Sequence, residues 1–134
     1  MASIFTRIVE GEIPSYKIAE NKDFYAFLDI NPLAKGHTLV IPKKEVDYIF
    51  DMEDPLYKEL FLFAKKVGKA IETVIPCKRM GLIVFGLDVP HAHIHLIPIN
   101  KSSDMSFDSP KLSLKNEEFL EIAAKINQAF KESS

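Results

Sequence analysis

Cysteine is almost absent from this 134-residue chain. Cys77 is the only one, so no disulfide can form within the chain, and a reducing compartment is the simpler expectation. Long apolar runs are lacking too, because stretches such as Leu82-Ile83-Val84-Phe85 are far too short to span a bilayer. The opening segment has no apolar signal-peptide core, since Arg7 and Glu10 interrupt it. We therefore expect a cytoplasmic protein that binds no membrane.

A strong excess of charge of one sign is also missing. The net charge is −2 and the isoelectric point is about 6.1, which argues against a general nucleic-acid binder. A small anionic ligand held by a few local donors is still compatible with this balance. Hydrophobic residues make up 47% of the chain, as in ordinary globular proteins, and the length predicts one domain over residues 1–134.

Histidine is rare but concentrated. Three of the four histidines, His91, His93 and His95, alternate with apolar residues in the run 91–98. A two-residue period predicts a β-strand with imidazoles on one face and an apolar opposite face. Histidine titrates near neutral pH and is of little use for packing, so the row indicates chemistry.

Two kinds of chemistry suit such a row. Residues two apart on a strand are separated by roughly 6.5 Å, so three consecutive positions cannot easily close on one metal. Two could do so with an outside ligand, for which His37 is the remaining histidine. Alternatively, His93 attacks an electrophilic phosphorus, while one neighbouring histidine holds a phosphate oxygen and the other gives a proton to the leaving group. An exposed row arising by chance fits the strict alternation poorly.

Helical periodicity is clearest between Pro55 and Ile75, where Asp54 is a suitable N-cap. A last helix is predicted over Glu117–Lys131 with Asn116 as its cap. A short helix after Ser3 is expected to end near Gly11. The inward-facing residues are expected to be Leu56, Leu60, Ala64, Val67, Ile71 and Val74 in the long helix and Leu120, Ala123, Ile126 and Phe130 in the last one.

Strand patterns are predicted over residues 16–19, 24–28 and 37–41, a buried strand over 81–85, and the histidine strand. Strands and helices do not alternate regularly, so an α+β domain with an antiparallel sheet is favoured. The polar stretch 100–113 is compatible with a loop that closes over a pocket and with one that hangs free.

At this point the chain resembles the histidine triad family of nucleotide hydrolases and transferases. The family motif His-x-His-x-His matches residues 91–95, and the likeness extends through the opening segment 3–14 and the segments 27–32 and 35–43. It covers roughly residues 3 to 98. The resemblance implies an α+β HIT-like fold, with a five-stranded antiparallel sheet and two main helices. It also implies a homodimer whose sheets join into ten strands.

The resemblance further implies a site that binds a purine mononucleotide or nucleotide conjugate and needs no cofactor. His93 would be the nucleophile, flanked by His91 and His95, with His37 beside the phosphate or supporting the triad. Asp29 would accept hydrogen bonds from the ribose hydroxyls. The base would lie in an apolar slot formed by Ile4, Phe5, Ile8, Phe27 and Ile30.

The chain departs from the family in two places. Some members bind zinc through two cysteines and further histidines, but the matching positions here read Ser3, Thr6 and Glu45, so we predict no metal site. The approach to the triad usually carries Gly-Gln and a hydroxyl residue. Here Gly86 matches, while Leu87 replaces the glutamine and Asp88 the hydroxyl residue. Because a carboxylate repels phosphate, we expect Asp88 to favour cationic amine leaving groups.

The sequence therefore predicts a purine nucleoside phosphoramidate hydrolase or nucleotidyl transferase that acts at the α-phosphorus through a covalent nucleotidyl-histidine. One alternative is a nucleotide-binding module with little catalysis, for which the altered Leu87-Asp88 segment is the reason. Another is a dinucleoside polyphosphate hydrolase, which would need additional phosphate donors. The pattern does not decide between adenine and guanine.

Overall fold

A computed structural model describes residues 2–133 as an α+β structure. Five antiparallel strands form one sheet in the order β1-β2-β3-β5-β4. The predicted five-stranded antiparallel sheet with two main helices is confirmed. Within residues 2–133 no helix is long and apolar enough to cross a membrane. The elements are α1 (Ile4–Val9), β1 (Lys17–Glu20), β2 (Phe24–Leu28), β3 (Thr38–Pro42), α2 (Asp54–Val74), β4 (Arg79–Ile83), β5 (Ile94–Ile99) and α3 (Asn116–Glu132), with short 3-10 turns at Ile49–Asp51 and Ser102–Met105.

Helices α2 and α3 cover one face of the sheet. In α2 the predicted stripe is buried at Leu60, Ala64, Val67 and Ile71, and Leu56 and Val74 pack against its edge. The predicted cap is wrong by one position, because Asp54 is already helical and Glu53 is the N-cap residue. The stripe meets sheet residues such as Val40, Ile94 and Leu96 in one large apolar core.

Helix α3 corrects the sequence prediction at two points. Asn116 is its first residue rather than its cap, and Leu120 is 53% exposed instead of facing inward. Phe119 and Ile122 are buried in its place, together with the predicted Ala123 and Ile126. Phe130 also packs against the core, so the predicted face is correct at three of its four residues.

Strand β4 does not have the predicted buried environment. It lies at one edge of the sheet, where only Gly81 is buried and Leu82 is 47% exposed. The apolar run that follows also leaves Phe85 exposed. A continuous apolar run therefore marks an uncovered strand here, and not an interior one. Cys77, just before β4, is half-buried.

The other face of the sheet is only partly covered. Helix α1 packs Phe5 and Ile8 against Phe27, Leu39 and Ile41 in a second, smaller apolar cluster. Ser3 caps this helix through a hydrogen bond from the Thr6 amide, as predicted, and Gly11 follows it with φ of 84°. The space that α1 leaves uncovered on this face is a cavity.

Candidate active site

The cavity of about 420 Å³ is the right size for a small ligand. It opens beside the amino end of β5, between α1, the end of β2 and the segment before the histidines. Ten of the twelve site residues predicted from the sequence line it: Ile4, Phe5, Ile8, Phe27, Asp29, Ile30, Gly86, Asp88, His93 and His95. His37 and His91 lie outside the lining.

The histidine strand is shorter than predicted, since β5 begins only at Ile94. The alternation nevertheless continues through the segment before it. Ala92, Ile94 and Leu96 belong to the large core under the helices, while His93 and His95 line the cavity on the other face. The sequence period therefore separates packing residues from site residues.

His93 has a defined tautomer. Its Nδ1 lies 2.9 Å from the carbonyl oxygen of His91, and a carbonyl can only accept, so Nδ1 carries the proton. In the neutral ring Nε2 is then unprotonated, and no hydrogen bond among residues 2–133 occupies it. The ring is buried, since His93 is only 6% exposed. The edge contact with Phe5, 5.0 Å between ring centroids, covers the ring from one side.

His37 and His95 form a second ordered pair. The amide of Leu33 donates to Nδ1 of His37 at 3.0 Å, and an amide can only donate. Neutral His37 must therefore carry its proton on Nε2, which lies 3.0 Å from Nδ1 of His95 and donates to it. His95 in turn keeps its proton on Nε2. Among the roles expected for His37, the geometry fits support of the triad.

Both rings of this pair are held neutral. Burial, together with the neighbouring His95, lowers the pKa of His37 to about 3. Burial, together with His93, lowers the pKa of His95 to about 4. With His95 neutral, the cavity presents its Nε2–H donor beside Nε2 of His93. The two ring centroids are 5.0 Å apart.

His91 is separated from the other two triad residues. It is fully buried, and both of its ring nitrogens are occupied. Nε2 donates to the Pro42 carbonyl at 2.7 Å, so Nδ1 accepts from the Ser3 hydroxyl, also at 2.7 Å. Burial lowers the pKa of His91 as well. The His91 ring does not flank the cavity. His91 contributes to the site through its main-chain carbonyl, which accepts the hydrogen bond from His93.

A hydrogen-bonded cluster, which we call the polar clamp, consists of Ser3, Thr6, Glu45 and His91. Glu45 Oε1 accepts from the Ser3 amide and from the Thr6 hydroxyl, both at 2.7 Å. The bond from the Ser3 amide lowers the pKa of Glu45. These are the positions that the family resemblance associated with zinc. Hydroxyls are poor zinc ligands beside thiolates and imidazoles, and here they donate their protons to His91 and to Glu45.

A second group with possible metal ligands lies at the cavity edge. One ligand atom from each of Asp29, His37 and His95 falls within 4.8 Å of the others. The tautomers work against a metal here, because Nε2 of His37 carries the proton that it donates to His95. The group therefore fits a proton-ordered hydrogen-bond chain better than a coordination site.

Asp29 follows β2 directly and lines the cavity at its polar end. One carboxylate oxygen accepts from the Asn31 amide at 2.8 Å, while the other lies 3.6 Å from Nε2 of His37. Burial raises the pKa of Asp29, and the Asn31 amide opposes this effect. The second oxygen can still accept from a ligand hydroxyl, which is the role that the resemblance implies.

The predicted apolar slot consists of two kinds of residue. Phe5 and Phe27 are buried and meet edge to face at 5.6 Å, while Ile8 packs beside them. Ile4 and Ile30 are 48% and 65% exposed and form the rim. A rigid aromatic floor with an open apolar rim suits a flat heterocycle.

The segment before the triad lines the opposite side. Gly86 has φ of 74°, a conformation that favours glycine, and turns the chain toward the cavity. Leu87 and Asp88 line the cavity but are largely exposed. Leu87 has no side-chain donor to offer a phosphate, and Asp88 brings a negative charge.

The lining residues that were not predicted from the sequence include Phe85, Phe107 and Lys111. Phe107 lies edge-on to His95 at 4.8 Å and to Phe85 at 4.9 Å between ring centroids. The only sequence signal for Phe107 and Lys111 is a lone aromatic and a lysine within a polar stretch that has no periodicity, whereas Phe85 belongs to the apolar run 81–85. The stretch closes over the triad, which decides between the two conformations that the sequence left open.

The fold and the arrangement of histidines define a protein of the HIT-like class. A crystal structure of a HIT-like protein from Bartonella henselae superimposes with a TM-score of 0.84 at 31% identity, over 95% of each chain. The family model for the HIT domain matches residues 10–102. The chain belongs to the histidine triad (HIT) domain family.

Relatives match over nearly the whole chain. A HIT-like protein of Borreliella burgdorferi is 36% identical, over 92% of this chain and 95% of its own length. The adenosine 5'-monophosphoramidase hnt1 of Schizosaccharomyces pombe is 35% identical, over 98% of this chain and all of its own length. Family membership therefore rests on the entire domain and not on the triad motif alone.

Proposed function

We propose that this protein hydrolyses purine nucleoside phosphoramidates, or transfers their nucleotidyl group, through attack of His93 on the α-phosphorus. The observation that carries the proposal is the tautomer of His93, whose Nδ1 proton is held by the His91 carbonyl at 2.9 Å. This leaves Nε2 as a neutral nucleophile on a nucleoside-sized cavity. The phosphoramidase activity of the Schizosaccharomyces pombe relative supports the same class of reaction.

In the first step, the Nε2 lone pair of His93 bonds to phosphorus while the bond from phosphorus to the amine nitrogen breaks. The nitrogen takes the electron pair of that bond. If it is protonated when the substrate binds, it leaves as a neutral amine without an acid from the protein. The His91 carbonyl stabilises the positive charge that the His93 ring acquires. In the second step, water attacks the phosphorus, releases a proton to solvent and returns His93 as a neutral imidazole.

His95 acts in this mechanism as a hydrogen-bond donor to a phosphate oxygen. Adding a second proton to His95 would place it on Nδ1, against the proton that His37 already directs there. Net proton transfer from His95 is therefore disfavoured, and the need for a protonated leaving nitrogen becomes greater. Asp88, on the same cavity, would stabilise that positive nitrogen. The ribose hydroxyls would bind Asp29, and the base would lie between Phe5, Phe27 and the rim.

We also propose a homodimer. Strand β4 has one edge without a partner strand in residues 2–133, and its Leu82 is 47% exposed. Such an edge is suited to pairing with a second copy, which would extend five strands to ten. Analytical ultracentrifugation would test this, with Leu82→Lys expected to shift the protein toward monomer.

Trapping the covalent intermediate tests the proposed reaction. Protein mixed rapidly with adenosine or guanosine phosphoramidate is denatured and digested, and the modified residue is located by mass spectrometry. A nucleotidyl group on His93 is expected, and the relative yields report the preferred base. Modification of another histidine would contradict the mechanism. AMP binding with no adduct and no turnover would favour the alternative of a nucleotide-binding module. The absence of hydrogen-bond donors at Leu87 and Asp88 supports that alternative.

A further inference from the structure

The stretch after β5 forms one wall of the cavity; we call residues 102–112 the wall segment. Apart from Ser102, it lies beyond residues 10–102, which match the family model. It supplies Phe107 and Lys111 to the cavity lining. The residues that complete this side of the site therefore lie outside the part of the chain that the family model matches.

The wall segment is fixed at both ends. At its start, Asp104 accepts hydrogen bonds from the amides of Asn100 at 2.8 Å and Lys101 at 3.1 Å. Met105 then packs on the bare backbone of Gly81, where a side chain would collide with its sulfur. At its end, the Leu112 amide donates to the Pro32 carbonyl at 2.8 Å. These contacts place the segment against β4 and against the turn after β2.

Lys111 is held over the cavity by the same segment. Its ammonium donates to the carbonyl oxygens of Phe107 at 2.5 Å and Ser109 at 3.1 Å. It also lies 5.7 Å from the centre of the Phe107 ring, which itself packs against His95. An ammonium has three N–H donors, so one is left for a ligand. The bonds to two carbonyls reduce the entropy cost of using it.

The charges around the cavity give this lysine its importance. Within the described residues 2–133, the cavity lining contains two carboxylates, Asp29 and Asp88. Lys111 is the one lysine or arginine of that lining. His95 is neutral at pH 7, since its pKa is about 4. Burial raises the pKa of Asp29; the Asn31 amide is the main influence that opposes this rise, and the Lys111 charge acts in the same direction. Without Lys111, a phosphate would enter a cavity whose permanent charges are all negative.

We infer that Lys111 is the phosphate-binding cation of this site, placed there by the wall segment to bind the anionic phosphate of a nucleotide or nucleoside phosphoramidate. This inference rests on the proposed function and deepens it, because it names the group that offsets the missing donors at Leu87 and Asp88. It distinguishes between ligands by charge: adenosine and AMP use the same base and ribose contacts, and only AMP uses Lys111.

Calorimetric titration of the full-length protein with AMP and with adenosine tests the inference. Lys111→Met is expected to weaken AMP binding roughly tenfold and to leave adenosine binding within about twofold. Lys111→Arg should restore most of the AMP affinity. Lys69→Met is the matched control, because it removes the same charge from an exposed position of α2 on the opposite face of the sheet. It should change neither affinity.

Salt dependence provides a second measurement. AMP affinity of the unaltered protein should fall more steeply with ionic strength than that of Lys111→Met. Equal AMP affinity of Lys111→Met and the unaltered protein overturns the inference and leaves the proposed function standing. An equal loss for AMP and adenosine also overturns it, since that result indicates damage to the cavity. Failure of the unaltered protein to bind either ligand overturns the inference and the proposed function together.

Discussion

The two faces of the sheet differ in how completely they are packed. The face under α2 and α3 is a closed apolar core in which Leu60, Val67 and Ile71 have no exposed surface. The opposite face is covered by a two-turn helix and the wall segment, and it retains a cavity of about 420 Å³. All four histidines contribute to this second face or its margin. Stability is thus concentrated on one face and chemistry on the other, and a single strand, β5, serves both through alternate residues.

Loss of the proposed nucleophile should show the largest difference between an effect on activity and an effect on stability. His93→Ala is expected to reduce phosphoramidate turnover by roughly a thousandfold or more. The closed core is untouched, so the free energy of unfolding should fall by only about 1–3 kcal/mol, from the lost bond to the His91 carbonyl and the lost contact with Phe5. Turnover assays and urea denaturation measure the two effects. Turnover close to that of the unaltered protein would remove His93 from the mechanism.

The converse experiment empties a position in the closed core. Leu60→Ala should lower the free energy of unfolding by about 2–5 kcal/mol, because it leaves a cavity under the sheet. The Michaelis constant for a phosphoramidate should stay unchanged in the fraction that is folded. Leu62→Ala is the matched control: it is the same substitution in the same helix at a residue that is 51% exposed. It should cost no more than about 0.5 kcal/mol. Equal losses in the two variants would contradict the assigned packing.

The histidine-bearing face should make stability depend on pH. His37 and His95 have pKa values of about 3 and about 4 in the folded protein, against an ordinary value of 6.5. Below pH 6.5 the unfolded chain therefore binds protons that the folded protein does not. This contribution is fully present above about pH 6.5 and is lost as the pH falls toward 4 and then 3.

Thermal unfolding measured at pH 4 to 7 should accordingly show a melting temperature that rises with pH. His37→Asn should give a shallower rise, because the asparagine oxygen can still accept from the Leu33 amide but carries no titratable ring. An unchanged slope in this variant would show that His37 is not among the groups responsible.

The polar clamp lies at the margin between the faces and should have an intermediate effect. Ser3→Ala leaves Nδ1 of buried His91 without its 2.7 Å partner and removes the cap of α1, for an expected loss of about 1–3 kcal/mol in unfolding free energy. Ser113→Ala, at an exposed position, is the control and should be nearly neutral. A neutral Ser3→Ala variant would show that water or Thr6 replaces the hydroxyl fully.

The smallest expected effect concerns the leaving group. Asp88→Ser should reduce the preference for an adenosine phosphoramidate over a dinucleoside polyphosphate by about two- to fivefold, because the exposed carboxylate is well screened by solvent. The ratio of the two kcat/KM values measures this preference. The same ratio in both proteins would eliminate the role proposed for Asp88.

The sequence predicted the residues of the site more fully than their contacts. The histidine alternation and the family resemblance located the lining residues of α1, β2 and β5, since these depend on local period and on matched motifs. The separate environment of His91 was missed, because it arises from hydrogen bonds to Ser3 and Pro42, 88 and 49 positions away. Which ring nitrogen is free is decided by such long-range partners and not by spacing.

The wall segment and β4 could not be predicted for a different reason. Their positions depend on contacts between segments that have no period of their own, such as Met105 on Gly81. The apolar run after Arg79 was assigned to the interior by composition alone, whereas its exposure follows from strand order. Strand order is a property of the whole sheet.

The proton order of the His37–His95 pair originates in the main chain, at the Leu33 amide. Nearly every substitution of Leu33 retains that N–H. The order of the protons on His37 and His95 is therefore insensitive to the side chain at this position. Proline is the exception, because its ring nitrogen has no hydrogen to give. One backbone N–H, which almost all substitutions at this position retain, thereby fixes which nitrogen of the His95 imidazole carries the proton.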